Sequence, residues 1–284
     1  MHDQKPKIIV LTHGGAERFL ELLAALEGIE IAGVFVETAT EKHRSLAEKI
    51  KRSIRYDGYA ATFRKFTSLF LKRERNGRVD LGSVEKGQGD LVKFAQNLSI
   101  PVFKVENYHS EDAIKLLREV GADLGILYGT NIVKEQVFAI PRLGSINIHQ
   151  GLAPLYRGGP TVFWELFNNE NEVGITVHFV APAVDTGDIV LQRTIPLEYD
   201  FSRYGLDYET FLSDYRASLK EPAAQLLVEA VGQIAKGEHH RTKQDPSIGK
   251  RYRLPIKTEK DQLLRLLTKR KKSQFDPAGR PELS

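Results

Sequence analysis

The sequence predicts an α/β fold in which a mostly parallel, twisted sheet carries helices on both faces. Three observations lead there. Apolar strand segments alternate with helix-period segments through the first half, two later strands read as a hairpin, and 41% hydrophobic content over 284 residues supplies one large core. Residues 7–12 are a continuous apolar strand, and Phe19, Leu22, Leu23 and Leu26 fall at i, i+3, i+4 and i+7 of a helix. Residues 29–36 are the second strand. After a long insertion, residues 91–98 read as helix, 101–105 as strand, 114–117 as part of a helix, and 123–128 as the next strand. Such alternation gives a Rossmann-like sheet with its binding crevice at the carboxyl ends of the strands.

Gly144 then breaks the chain before a strand ending at Asn147-Ile148-His149, because Gln150-Gly151-Leu152-Ala153-Pro154 cannot continue a regular central strand. Residues 173–180 form another strand, 181–188 a loop and 189–191 its partner strand. Pro160 suits the first turn of the helix that Phe163, Trp164 and Phe167 mark, with Trp164 in the core. Beyond residue 200, Tyr208, Phe211, Leu212, Tyr215 and Leu219, then Leu226, Leu227, Ala230, Val231 and Ile234, give two amphipathic helices covering the sheet.

The expected organisation is a principal unit at 1–200, with a helical insertion at 41–90, and a short helical extension at 201–284 ending in a basic tail. Residues 41–80 hold 12 Lys or Arg against 5 Asp or Glu, and Phe63, Phe66 and Phe70 sit at helical spacing. Two readings stand for this insertion: an aromatic face packed on the body, or a lid for an anionic ligand. Residues 241–272 carry 12 basic against 3 acidic residues, which reads as a solvated, partly disordered tail.

The absence of cysteine excludes disulfides, thiolate catalysis and cysteine-ligated metals. With no apolar run of about 18 residues and no signal pattern, a cytoplasmic protein without transmembrane segments is expected. No metal site is expected either.

Asn147 and His149, two positions apart on a strand, point to one side of it, and Asp185 on a returning loop can orient the imidazole. Taken singly, each is equally at home as a turn or packing residue. Together they suit chemistry at a carbonyl. Two glycine-bearing loops follow strands at the same edge. Thr12-His13-Gly14-Gly15 opens a helix, where free N–H groups favour an anion, and Tyr128-Gly129-Thr130-Asn131 follows the strand at 123–128. Each is also a plain tight connection, and Asn131 is alternatively the cap of a helix near Val133. His178, two positions beyond Thr176, either lines the site or is a satisfied core histidine.

The blocks Asn147-Ile148-His149, Leu152 to Pro160 with Arg157-Gly158-Gly159, Gly174 to Phe179 and Val184-Asp185-Thr186-Gly187-Asp188 resemble the folate-dependent formyltransferase family. That family includes glycinamide ribonucleotide, methionyl-tRNA and amino-sugar N-formyltransferases. The resemblance is close over 120–196 and present in outline over 7–36. It implies the formyltransferase type of sheet, 10-formyltetrahydrofolate as formyl donor and Asn147, His149 and Asp185 as catalytic residues. Asn147 and His149 would donate hydrogen bonds to the tetrahedral oxyanion, while Asp185 would hold His149 protonated, raise its pKa and assist proton removal from the attacking nitrogen, directly or through water. Alanine at any of the three is expected to abolish transfer nearly completely.

The same resemblance assigns Gly129, Thr130, Asn131, Val184 and Asp185 to the folate pocket, and His13, Gly14, Gly15 and Arg157 to the acceptor. One departure stands out. The family continues its His with Pro-Ser and two Leu, where this chain has Gln150-Gly151-Leu152-Ala153, which removes a hydroxyl and leaves room for a different acceptor or water. The preferred acceptor is a nucleotide-linked amino sugar, with methionyl-tRNA and glycinamide ribonucleotide next. A formyltetrahydrofolate hydrolase is a further alternative; such enzymes normally carry an N-terminal regulatory domain, and a first strand at Lys7 argues against it. A non-catalytic, basic nucleic-acid-binding relative is the alternative from another class, set apart by steep salt dependence.

Overall fold

A computed structural model describes residues 5–38, 46–59, 61–63, 82–245 and 247–275 of the chain. Its centre is a seven-stranded sheet. In chain order the strands are β1 (Lys7–Thr12), β2 (Glu30–Glu37), β3 (Val102–Val105), β4 (Leu124–Tyr128), β5 (Ser145–His149), then β7 (Glu172–Phe179) and β8 (Ile189–Pro196). Between β5 and β7 lies a short strand, β6 (Tyr156–Gly158), which pairs outside this sheet with β9 (Lys250–Tyr252). The order across the main sheet is β3-β2-β1-β4-β5-β7-β8, parallel through β5, with β7 antiparallel to both of its neighbours.

Strand periodicity divides the core between the two faces. Ile8 and Val10 of β1 join one apolar cluster, and Ile9 and Leu11 join the other. The first face is covered by α1 (Glu17–Ala24) and, from later in the chain, by the long helix at Lys220–Lys236, so that Leu20 and Leu23 share a cluster with Leu226, Leu227 and Ala230. Between them in sequence come α2 (Leu46–Asp57) and α3 (Gly82–Asn97). The second face is covered by α4 (Glu111–Val120) and the short α5 (Glu135–Phe138), through Ala113, Leu117, Val137 and Phe138. Such leucine side chains each contribute roughly 1.5–3 kcal/mol on burial. Tyr108 locks the carboxyl ends of β1 and β2 together: its hydroxyl lies 2.7 Å from the Thr12 carbonyl and 2.9 Å from that of Phe35.

After β6 come α6 (Phe163–Asn168), α7 (Phe201–Tyr204), α8 (Tyr208–Ser218), α9 (Lys220–Lys236) and α10 (Lys257–Phe275). Pro160 lies before α6 rather than in its first turn, because Val162 adopts a positive φ of 73° and starts the helix one residue later. Trp164 is buried as expected, and its indole N–H donates to the Arg253 carbonyl at 2.9 Å.

The basic tail departs from expectation. Residues 257–275 are a helix, not a solvated coil, and Leu263 and Leu267 are fully buried one turn apart. Two leucines at i and i+4 are enough to seat a helix whose long cationic side chains keep their heads in water. Arg270 reaches back to the Leu166 carbonyl at 3.0 Å, and Lys260 meets Asp57 of α2 at 3.5 Å. Of the aromatic face expected in the insertion, Phe66 and Phe70 lie outside the described residues, whereas Tyr59 and Phe63 are 78% and 71% exposed. Residues 276–284 also lie outside them. Among the described residues no helix is long and apolar enough to cross a membrane.

Candidate active site

The site forms where β5 ends beside β7. In the antiparallel register Asn147 pairs with His178 and His149 with Thr176, and the two-residue period puts all four side chains on one face. Thr176 anchors the chain leaving β5: its hydroxyl donates to the Gly151 carbonyl at 2.7 Å and accepts from the Ala153 N–H at 3.1 Å. The loop 181–188 brings Asp185 back over these residues. It is pinned by Phe179 N–H to the Asp188 carbonyl at 2.9 Å and by Gln244 to the Gly187 carbonyl at 2.6 Å. Gly187 is needed for this path, since any Cβ there would collide with the Phe179 carbonyl. Asp185 itself has φ 54°, a left-handed conformation that a short polar side chain tolerates.

Asp185 is the hub. Its Oδ2 accepts from the Gly158 N–H at 2.8 Å and lies 3.5 Å from Nδ1 of His149, while its Oδ1 lies 3.4 Å from Nε2 of His178. Burial alone would push this carboxyl up, but the His178 contact, the His149 ring and the Gly158 N–H outweigh it and bring the pKa down to about 2. The group is therefore ionised at neutral pH. Asn147 completes the chain of contacts, its Nδ2 lying 3.4 Å from Nε2 of His178.

His149 differs from expectation. Its Nε2 lies 2.7 Å from the Tyr156 carbonyl, a separation that requires a proton on that nitrogen. Burial lowers its pKa and dominates over the opposing pull of Asp185, so the expected rise does not occur and the ring is neutral at pH 7. Gly151 permits this pose: a Cβ at that position would run into Nε2 of His149 and lie 2.6 Å from the Tyr156 carbonyl.

Two cavities border this network. A larger one of about 180 Å³ is lined by Asn147, His178 and Asp185 together with Thr130, Asn131 and Val184. His149 instead lines a cleft of about 10 Å³ beside Tyr156, Arg157, Glu165 and Tyr252. Glu165 is 2% exposed, and burial raises its pKa to about 7.

The structure thus gathers Asn147, His149 and Asp185 into one network and sets Thr130, Asn131 and Val184 around its larger cavity. Gly129, at φ 64°, turns the chain into that wall. His13 sits next to it, with Nε2 3.1 Å from the Asn131 N–H and 3.2 Å from Glu37, so the two glycine-bearing loops are bridged. Asn131 therefore caps no helix; α5 starts after Lys134. Gly14 and Gly15, both at positive φ, stay in the loop before α1. Arg157 lines the smaller cleft with His149; it is 9% exposed and its Nε donates to the Pro154 carbonyl at 3.3 Å.

His178 was readable in sequence as an on-face residue, and its pairing with Asn147 is the signal that promotes it. The Tyr156 carbonyl, the Gly158 N–H and Tyr252, which β9 delivers by pairing with β6, carry no such signal. Among the described residues no cluster of three or more His, Asp or Glu could hold a metal ion.

A family profile described as Formyl transferase matches residues 6–207. Methionyl-tRNA formyltransferase of Parabacteroides distasonis is 35% identical over 105 residues, covering 37% of this chain and 32% of that protein. The enzyme of the same name from Pelotomaculum thermopropionicum is 33% identical over 175 residues, covering 60% and 51%. The chain thus spans about half or less of the length of these curated relatives. Among solved structures, a sugar N-formyltransferase from a Shewanella species superposes with a TM-score of 0.54 at 14% identity, over 88% of this chain and 77% of that one. Glycinamide ribonucleotide transformylase 1 from Symbiobacterium toebii gives 0.52 at 19%, over 84% and 94%. At those identities the likeness is one of fold.

Proposed function

This chain belongs to the formyl transferase family, and on that basis we propose that it transfers a formyl group from 10-formyltetrahydrofolate to a primary amine, with a nucleotide-linked amino sugar as acceptor. The observation that carries the reading is the convergence of Asn147, His178 and an ionised Asp185 on one wall of the 180 Å³ cavity. A few convergent polar groups on a wall otherwise built from Leu127, Ile132, Val133 and Val180 are what a site for an activated carbonyl needs. The cavity is smaller than a whole folate requires, so it fits the reacting end of the donor. Thr130, Asn131 and Val184 would hold that end, in part through their backbone groups. 10-Formyltetrahydrofolate supplies an electrophilic carbon and a nitrogen leaving group.

Each residue then has a task. The Asn147 amide donates a hydrogen bond to the formyl oxygen as it gains charge. Asp185 fixes both imidazoles and the Gly158 N–H around itself. His149, with its donor nitrogen engaged by Tyr156, acts as a positioning residue for Asp185 and the β6 segment.

The chain beyond α9 packs on this unit, with β9 paired to β6 and α10 seating Leu263 and Leu267 in the body. Methionyl-tRNA is the competing acceptor, and the names of the curated relatives favour it. The test is incubation with 10-formyltetrahydrofolate and a panel of amines, namely amino-sugar nucleotides, glycinamide ribonucleotide and methionyl-tRNA, beside a no-amine control. A formylated sugar nucleotide identified by mass supports the proposal. Formylated methionyl-tRNA moves the acceptor, and formyl loss in the control indicates a hydrolase.

A further inference from the structure

Resting on the formyl-transfer reading, we propose that Tyr252, in the chain beyond α9, is a positioning residue that sets the pose of Asp185 and His149 by holding β6. Two polar contacts of the network go to the main chain of that strand. The Gly158 N–H donates to Oδ2 of Asp185 at 2.8 Å, and the Tyr156 carbonyl accepts from Nε2 of His149 at 2.7 Å. Where β6 lies therefore decides where the carboxylate and the imidazole lie.

The strand cannot hold that place alone. It is three residues long, stands outside the seven-stranded sheet and pairs with β9, with Tyr156 opposite Lys250, Arg157 opposite Arg251 and Gly158 opposite Tyr252. A two-stranded ribbon of that length is marginal, so side chains must supply the rest. The Tyr156 and Tyr252 rings stack with centroids 5.1 Å apart and planes within 8°. Asn168 ties them at the rim, its amide donating to the Tyr156 hydroxyl at 2.9 Å and to the Tyr252 hydroxyl at 3.1 Å. Trp164 backs Tyr252, with ring centroids 5.1 Å apart, and its indole N–H holds the carbonyl of the next residue, Arg253.

The two backbones also approach closely. Gly158 has φ 77°, and a Cβ there would lie 2.5 Å from the Tyr252 carbonyl, so no side chain fits between the strands at that point. β9 is anchored in turn. Arg253 meets Glu259 in the first turn of α10 at 2.9 Å, and Leu263 and Leu267 of that helix are buried in the body. A continuous path of contacts thus runs from the body through α10 and Tyr252 to the Gly158 N–H. If Tyr252 only filled space, its loss would lower stability and leave the pose of Asp185 unchanged.

Two measurements test it. In wild-type protein, native-state hydrogen exchange should show the Gly158 amide opening together with the Lys250 amide, which donates to the Leu155 carbonyl across the ribbon. A Gly158 amide that stays protected while that of Lys250 exchanges overturns the proposal. Tyr252→Leu keeps apolar bulk but has no ring to stack. It should lose about 10 to 100-fold in formylation turnover well below its melting temperature, with little change in KM for the donor. Its Gly158 amide proton should move upfield as the bond to Asp185 lengthens, whereas Tyr252→Phe, which retains the ring, should keep the wild-type shift and most of the turnover. Near-wild-type turnover with an unmoved Gly158 amide in Tyr252→Leu sinks the proposal, as does an equal loss in both variants. Should Tyr252→Leu fail to fold, the exchange result on wild type decides alone. A wild-type protein that formylates no amine removes the formyl-transfer reading, while the exchange and amide shifts still test the hold on Asp185.

Discussion

His149 and His178 stand at nearly equal distances from Asp185, 3.5 and 3.4 Å, yet they face different spaces. One ring turns Nε2 into the backbone of β6 beside a cleft of about 10 Å³; the other turns Nδ1 away along β7 and presents Nε2 to Asp185 on the wall of a cavity of about 180 Å³. The carboxylate therefore does not decide which imidazole borders the larger cavity. The backbone carbonyl on the far side of each ring does, by fixing its orientation. Gly151 is the residue that lets the two sides differ, because only an absent side chain leaves room for His149 to reach Tyr156.

The largest test removes the shared hub. Asp185→Asn keeps a residue that tolerates the left-handed backbone but takes the charge from both rings, and turnover should fall by about 1000-fold or more. The same variant has a stability signature. Because the folded-state pKa of about 2 lies below the unfolded value, the wild-type carboxylate contributes stability that is complete above pH 4 and lost as pH falls through 2. Urea titrations should show wild type losing about 2 kcal/mol over that range more than Asp185→Asn does.

Asn147→Ala acts on the cavity side alone. Losing a hydrogen-bond donor to the developing oxygen charge should cost about 100 to 1000-fold in turnover, with the stability largely retained. An effect confined to KM would remove the assigned role. On the His149 side the expectations are smaller and structural. Gly151→Ser should force the ring off the Tyr156 carbonyl and cost about 1–3 kcal/mol in thermal unfolding, with a smaller loss of turnover than Asn147→Ala. A stability equal to wild type would show that the pose of His149 is not held by packing.

The smallest effect is expected at Glu165, on the wall of the small cleft beside His149. Burial raises its folded pKa to about 7, so its contribution is most favourable below the unfolded value and is lost as pH rises through 7. Glu165→Gln should therefore melt at a higher temperature than wild type at pH 8 and at a similar temperature at pH 4. A gain at pH 4 alone would refute the assignment.

Much of this was legible in sequence, for reasons that differ by region. The residues of β1 needed no context, since the continuous run Ile8 to Thr12 between Pro6-Lys7 and a glycine turn leaves one choice. Asn147, His149 and Asp185 could be picked out by the order of the surrounding blocks. The orientations of the two imidazoles could not, because they depend on the carbonyls of Tyr156 and Phe179, which every residue type carries. His178 became significant only through the register that sets it opposite Asn147. The helix at 257–275 was hidden by its charge: twelve basic residues across 241–272 outweigh in composition the two leucines that decide its packing. Arg157 reads as an anion contact by type, while its burial beside His149 comes only from its position in the fold.

If Asp185 organises a centre for formyl transfer, the direct comparison is between wild type and Asp185→Asn. Both would be incubated with 10-formyltetrahydrofolate and the amine panel, and the amines weighed by mass spectrometry. An acceptor heavier by one formyl group is expected with wild type and almost none with the variant. Equal product from both, or an untouched donor with wild type, would refute that role for Asp185.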